Sequence, residues 1–352
     1  MMCKPSKPRY HMETALPAEV TEGASGTYAE FLQILSVLQW LMSVLLMAPA
    51  CLLLVLWLLC SPLWPLLVLY TIWLIYDWNT PERGGRKSMW MNQWSVWKHF
   101  RDYFPITLHK TADLDPNQNY IFGYHPHGIL SVGAFCNFGT DSTGFSRLFL
   151  KLKPCVTTLA GNFKMPIFRD YILAAGMCSV THSSIDYLLS HNGPGNVVVI
   201  VVGGASEALN CTKQQHVLTL KRRKGFVKKA LVNGSSLVPV YSFGENEVLQ
   251  QCNFEVGSWK KKLQELFQQW MGFAPCIFFG QGVFSSTSRG IMPFRRAINT
   301  VVGKPISVPR IENPSEQQVD AYHSLYVTAL QELFNKYKQC FGLQQSDTLI
   351  LV

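Results

Sequence analysis

The chain has 352 residues, a formal charge of +9, and 15% charged against 48% apolar residues. About a quarter charged is usual for a soluble domain, and the shortfall is local: no charged residue lies between Glu30 and Asp77. The basic balance suits anionic partners such as membrane surfaces or nucleotides. No zinc-finger spacing or aromatic ribonucleoprotein signature points to nucleic acid.

Residues 1–30 open without an apolar core near Met1, which excludes a cleavable signal peptide. Rich in Pro, Ala and Glu, this stretch reads as a disordered cytosolic N-terminus. Residues 31–78 contain enough apolar sequence for two membrane helices at about 20 residues each. "CSPLWP" (60–65) breaks the run, because Pro62 and Pro65 each lack an amide donor. The expectation is a transmembrane helical hairpin, 32–59 and 64–78. Lys4, Lys7 and Arg9 lie before it and Arg83, Arg86 and Lys87 after it, with no cation in the turn, so both ends are expected in the cytosol.

Residues 79–104 form an aromatic and basic segment. Trp90, Trp94 and Trp97 recur at helical spacing beside Lys98 and Arg101. That pattern suits a helix in the headgroup layer, and equally an amphipathic helix packed on the domain. Ten scattered cysteines, none in a C-x-x-C pair, read as reduced thiols and not as a disulfide frame.

From about residue 105 short apolar runs alternate with helical patterns. Strands are expected at 119–124, 196–202, 236–243 and 298–306. Helices are expected at 166–176, 183–191, 224–233, 258–270 and 315–339. The last begins with a capping box, Ser315 followed by Gln318. This alternation argues for an α/β domain over 105–352 with a mostly parallel sheet and flanking helices. "NVVVIVV" (196–202) is apolar throughout, as a central strand covered on both faces should be.

Ligands of such sheets gather outside the carboxyl ends of strands. His125 and His127 of "YHPHG" follow the first strand, and Gly203, Gly204 and Glu207 follow the second. A histidine pair can ligate zinc, but a catalytic zinc needs a third protein ligand, and no H-E-x-x-H pattern follows. The pair can also simply be hydrogen-bonded in a turn. As a general base, a histidine accepts an alcohol proton near neutral pH, and a carboxylate at its other nitrogen would fix the tautomer. Glu207 is the best-placed carboxylate for that role. It also suits a helix N-terminus without any catalytic part. Gly203 and Gly204 can offer amides to an oxyanion or make a tight turn. No G-x-S-x-G elbow supports a serine nucleophile. Lys221, Arg222, Arg223, Lys224, Lys228 and Lys229 crowd a helix start, where they can meet phosphates, anionic lipid or only solvent.

In company, these blocks resemble the type-2 diacylglycerol acyltransferase family, which also holds monoacylglycerol and wax-alcohol acyltransferases. The resemblance rests on YHPHG (124–128), AGNFKMP (160–166), VVGGASE (201–207), the R-x-G-F-V-K block of 223–244 and "DWNTPERGGR" (77–86) after the hairpin. It covers about residues 30–352. It implies a glycerolipid-acyltransferase-like fold in a membrane enzyme of the endoplasmic reticulum and lipid droplets. That enzyme esterifies diacylglycerol to triacylglycerol, with acyl-CoA as substrate and no metal or permanently bound cofactor. Monoacylglycerol, a long-chain alcohol or retinol are alternative acceptors, and a non-catalytic lipid-binding protein is the alternative of another class. A homo-oligomer stays open. The resemblance implies His127 as base with Glu207 beside it and His125 in the same motif. Amides at Gly128, Gly203 or Gly204 are then expected at the oxyanion, and the six cations of 221–229 at acyl-CoA.

Two departures stand out. The H-x-x-x-x-D of broader glycerolipid acyltransferases is absent, since Leu130 and Val132 stand five residues after the two histidines. The family's FLxLxxx lipid pattern has its nearest equivalent in "VLLMAPA" (44–50), without the phenylalanine.

Overall fold

The computed structural model describes residues 12–14, 27–209, 211, 215–252, 254, 257–271, 276–283, 285 and 287–352. Thirteen strands occur among them: β1 (Glu13–Thr14), β2 (Ile106–Lys110), β3 (Tyr120–His125), β4 (Lys153–Thr158), β5 (Met177–Ser179), β6 (Asn196–Val201), β7 (Val217–Leu218), β8 (Ser236–Phe243), β9 (Gln250–Gln251), β10 (Phe278–Gln281), β11 (Arg289–Gly290), β12 (Ile298–Val302) and β13 (Ile350–Leu351). Eight of them form one sheet in the order β1-β2-β12-β8-β3-β6-β4-β5. All its pairings are parallel except β1 with β2 and β12 with β8. The mixed α/β, mostly parallel architecture is therefore as the alternation of patterns implies. Much of the expected disordered stretch 1–30 lies outside the described residues, but Glu13 and Thr14 pair with β2.

Twelve helices accompany the strands. They are α1 (Thr27–Leu59), α2 (Trp64–Tyr76), α3 (Met89–Asn92), α4 (Ser95–Tyr103), α5 (Val132–Ala134), α6 (Phe145–Leu148), α7 (Phe168–Ala174), α8 (His182–Ser190), α9 (Gly204–Ala208), α10 (Gly225–Asn233), α11 (Trp259–Met271) and α12 (Glu316–Tyr337). The Ser315–Gln318 capping box is formed at the start of α12. β3, β6 and β8 lie at the sheet centre and bury nearly every residue, which is why they read as unbroken apolar runs. Ile121, Val198, Leu237 and Tyr241 pack against α8, α10 and α12 on one face. Phe122, Tyr124, Val199 and Val240 pack against the α5–α6 segment on the other.

Beyond that segment lies an aromatic cluster in which Trp40 of α1 meets Phe100 and Phe135. Trp97 is buried there, donating its indole N–H to the Met91 carbonyl, while Trp90 stands exposed. The three tryptophans do not share one helix, because the chain turns between α3 and α4.

α1 and α2 are joined by the tight turn 60–63. Among the described residues one helix, Tyr28–Leu59, is long and apolar enough to cross a membrane. α2, at 13 residues, is about 20 Å long, shorter than a hydrocarbon core of about 30 Å. Val37, Trp40 and Leu41 of α1 are buried against the domain, whereas Leu53, Leu56, Trp57, Leu59, Trp64 and Leu66 around the turn are exposed. The end of α2 is fastened to the domain by polar contacts. Tyr70 donates to Asp170 at 2.8 Å, and Asp77 and Asp170 both pair with Arg86. Arg169, itself buried, donates to the Asp77 carbonyl at 2.8 Å. The "DWNTPERGGR" block thus serves as a strap between hairpin and domain.

Candidate active site

The carboxyl ends of β3, β6 and β8 meet at one rim of the sheet, and the HPHG segment leaves β3 there. Gly123 allows the first contact: a Cβ at that position would lie 2.0 Å from the Tyr326 hydroxyl. Tyr326 of α12 donates to the Gly123 carbonyl at 3.0 Å and lies 3.0 Å from His125 Nε2. Its one proton is spent on the carbonyl, so Nε2 of His125 must carry the hydrogen between them. His125 is fully buried, its Nδ1 finds no protein partner, and burial drives its pKa down to about 3. Burial thus favours the neutral imidazole.

His127 differs. The residue is half-buried, and Nδ1 lies 2.9 Å from the carbonyl of Gly128. A carbonyl only accepts, so the ring proton sits on Nδ1 and Nε2 is left as a lone pair. Burial holds the His127 pKa below the ordinary imidazole value, against the opposing pull of the Gly128 carbonyl. The Ser131 hydroxyl donates to the His127 carbonyl at 2.8 Å and closes the loop.

Glu207 is beside His127, as expected, but not at its ring. Oε1 accepts the backbone N–H of His127 at 2.7 Å, and Oε2 accepts that of Thr219 at 2.8 Å. The expected carboxylate-to-imidazole bond is replaced by a carboxylate-to-main-chain clamp. The reason is the short reach of the preceding turn. Gly203 and Gly204 have φ of +102° and +60°, and a Cβ on Gly203 would fall 2.3 Å from Glu207 Oε2. The side chain therefore folds back over the glycine. Burial raises the Glu207 carboxyl to about 7, against the two amide bonds and the nearby Arg223 charge.

A second glutamate, which pattern reading passed over, holds the other side of the loop. Glu245 is fully buried, and its Oε2 accepts the Tyr124 hydroxyl at 2.7 Å and the Gly133 amide at 2.9 Å. Its Oε1 has no protein partner. A Cβ on Gly128 would lie 2.9 Å from Glu245 Cγ, so only glycine with its φ of +63° lets the loop cross here. Burial lifts this carboxyl also to about 7. A signal existed: Glu245 follows Gly244 just past a fully buried strand, the setting that singled out Glu207.

The six cations differ in their partners. Lys224 pairs with Asp320 and Lys229 with Asp186, each at 2.6 Å. Arg223 donates to the Gly203 carbonyl at 3.3 Å and to Ser206 at 3.0 Å. Lys221, Arg222 and Lys228 are exposed. Among the described residues no group of His, Cys, Asp and Glu is arranged to hold a metal ion.

An α/β sheet presenting one open imidazole on a carboxylate-clamped loop suits proton abstraction from an acyl acceptor. The chain belongs to the diacylglycerol acyltransferase family, whose model matches residues 56–352. It is 56% identical to the diacylglycerol O-acyltransferase 2 of Danio rerio over 91% of this chain and 89% of that protein. Its identity to the human diacylglycerol O-acyltransferase 2 is 52%, over 90% and 82%. The human 2-acylglycerol O-acyltransferase 3 is 48% identical over 92% and 95%. No solved structure matches the chain.

Proposed function

We propose that the chain transfers a fatty acyl group from acyl-CoA to diacylglycerol, giving triacylglycerol and CoA. The observation that carries the mechanism is the bond between His127 Nδ1 and the Gly128 carbonyl, which leaves Nε2 open as a base. The acceptor hydroxyl gives its proton to Nε2 as its oxygen attacks the thioester carbonyl. The new C–O bond forms, the C–S bond breaks, and the proton passes to the departing thiolate. Amides at Gly128 or at Gly203–Gly204 face the oxyanion. Glu207 and Glu245 position the loop, and His125 supports it from below. Lys221, Arg222 and Lys228 attract the phosphates of acyl-CoA.

The acceptor follows from the diacylglycerol acyltransferases among the relatives. A second reading, monoacylglycerol, is favoured by the 48% identity to a 2-acylglycerol acyltransferase. Membranes with and without the protein, given labelled acyl-CoA and mixed acceptors, separate the two. Label in triacylglycerol is expected. Label confined to diacylglycerol or to wax and retinyl esters moves the acceptor, and lipid binding without label transfer ends the enzymatic reading.

The exposed apolar turn of the hairpin supports insertion into the endoplasmic-reticulum membrane and the lipid-droplet surface, with both chain ends cytosolic. Cys60, exposed at that turn, reports the depth. In a variant keeping only this cysteine, shielding from impermeant thiol reagents on both sides indicates a turn buried in the bilayer. Labelling from the lumen indicates two full crossings.

A further inference from the structure

A cavity of about 250 Å³ opens at the same rim of the sheet, with Pro126 in its lining. It lies where β3 and β8 end, the usual place for a ligand in a sheet of this kind. Its walls are mixed: Gln215, His216, Asn246, Glu247 and Arg296 share the lining with Phe243, Phe341 and Leu343. His216 Nδ1 and the Tyr241 hydroxyl engage each other at 3.0 Å. Asn246 Oδ1 is buried and finds no donor in the protein. Such an acceptor is costly to leave unpaired. Arg296 is exposed, and among the described residues no ion pair to it is present.

A hydrocarbon chain alone does not suit these walls, because it would leave Asn246 and the other polar groups unsatisfied. A narrow, amide-bearing ligand does. Its N–H groups can meet Asn246, its carbonyls can meet the Gln215 amide, and a phosphate at its outer end can meet Arg296. We propose that this cavity seats the pantetheine arm of the acyl donor, with Arg296 on the adjoining phosphates. This rests on acyl-CoA being the donor. Pro126 lines the cavity and directly precedes His127 in the chain, so the proposal puts the thioester end of the arm toward the HPHG loop. Arg296 thereby adds a phosphate contact to those of Lys221, Arg222 and Lys228, the members of the 221–229 cluster other than the paired Arg223, Lys224 and Lys229.

The test compares acyl-CoA with S-acyl-pantetheine, which keeps the amides and lacks the nucleotide. Asn246→Ala is expected to raise KM for both donors by the same factor, roughly tenfold, with kcat and the acceptor KM unchanged. Arg296→Gln is expected to raise KM for acyl-CoA alone. Wild-type donor KM values in Asn246→Ala, or a shift confined to the acceptor KM, overturn the assignment. So does an equal effect of Arg296→Gln on both donors. Equilibrium binding of CoA to the full chain separates this proposal from the enzymatic reading. Weakened CoA binding in both variants supports the cavity even if turnover were absent, and undiminished binding in both rejects it.

Discussion

The turn after β6 and the turn after β8 solve one problem in two settings. Each follows a central strand buried along nearly its whole length, bends at a glycine with positive φ, and aims a buried glutamate at the HPHG loop. Glu207 takes the main chain at His127 and at Thr219, so it ties His127 to the residue that follows β7. Glu245 takes Tyr124 and Gly133, so it ties the end of β3 to the start of α5. Glu207 has both oxygens satisfied, whereas Glu245 has one left without a partner. The base is thus held from two sides by carboxylates that never touch its ring. What they supply is position, and tautomer control falls to a backbone carbonyl.

The sharpest contrast is between the two histidines that this clamp separates. His127→Ala should cost about 10²–10⁴-fold in kcat while the protein still folds and inserts. His125→Gln should keep kcat within a few fold and lower the melting temperature, since among the described residues the one hydrogen-bond partner of its ring is Tyr326. Acyl transfer and thermal melts on the two variants decide, and equal losses of kcat would erase the distinction.

Breaking the first clamp comes next. Glu207→Gln keeps one acceptor and sets an amide N–H₂ against a backbone N–H. Roughly a tenfold to hundredfold loss of kcat and about 1–3 kcal/mol of stability are expected. An unchanged rate would move the positioning role elsewhere.

The second clamp is probed by pH. The Glu245 carboxyl, raised to about 7 in the fold against an unfolded value near 4.3, binds its proton more tightly folded than unfolded. Its contribution is present below pH 4.3 and lost as pH rises through 7. Glu245→Gln cannot ionise, so it should gain on the wild type by roughly 2–4 kcal/mol between pH 4.5 and 8.5. Melts across that range check the sign, and a difference independent of pH would contradict it.

The smallest effect belongs to the basic cluster. Lys224→Ala removes a largely exposed pair with Asp320 and should cost under about 1 kcal/mol. A larger loss in chemical denaturation would mean that the pair is more than a surface contact.

Much of this was readable before any coordinates. β3, β6 and β8 announce themselves because burial on both faces makes them continuously apolar, and α12 declares its start through a capping box. β4, "KPCVTT", is only partly buried and half polar, so no pattern marks it. The three-residue β5 is too short for any period to show. The clustering of His127, Gly203 and Glu207 was legible because all follow central strands. That Glu207 grips an amide and not an imidazole was not legible, since it depends on the backward fold of one side chain over Gly203. Glu245 and Tyr326 were missed for a related reason. Their partners, Gly133 and Gly123, lie far away in sequence and carry no side chain to advertise the contact.

The account stands on a neutral His127 whose Nε2 takes the acceptor proton. The pH dependence of kcat/KM measures that directly in the intact enzyme. An acid limb with its midpoint below 6.5, absent from the residual activity of His127→Ala, is the result expected from a buried imidazole with a depressed pKa. A midpoint above 6.5, or the same limb persisting without His127, would contradict it.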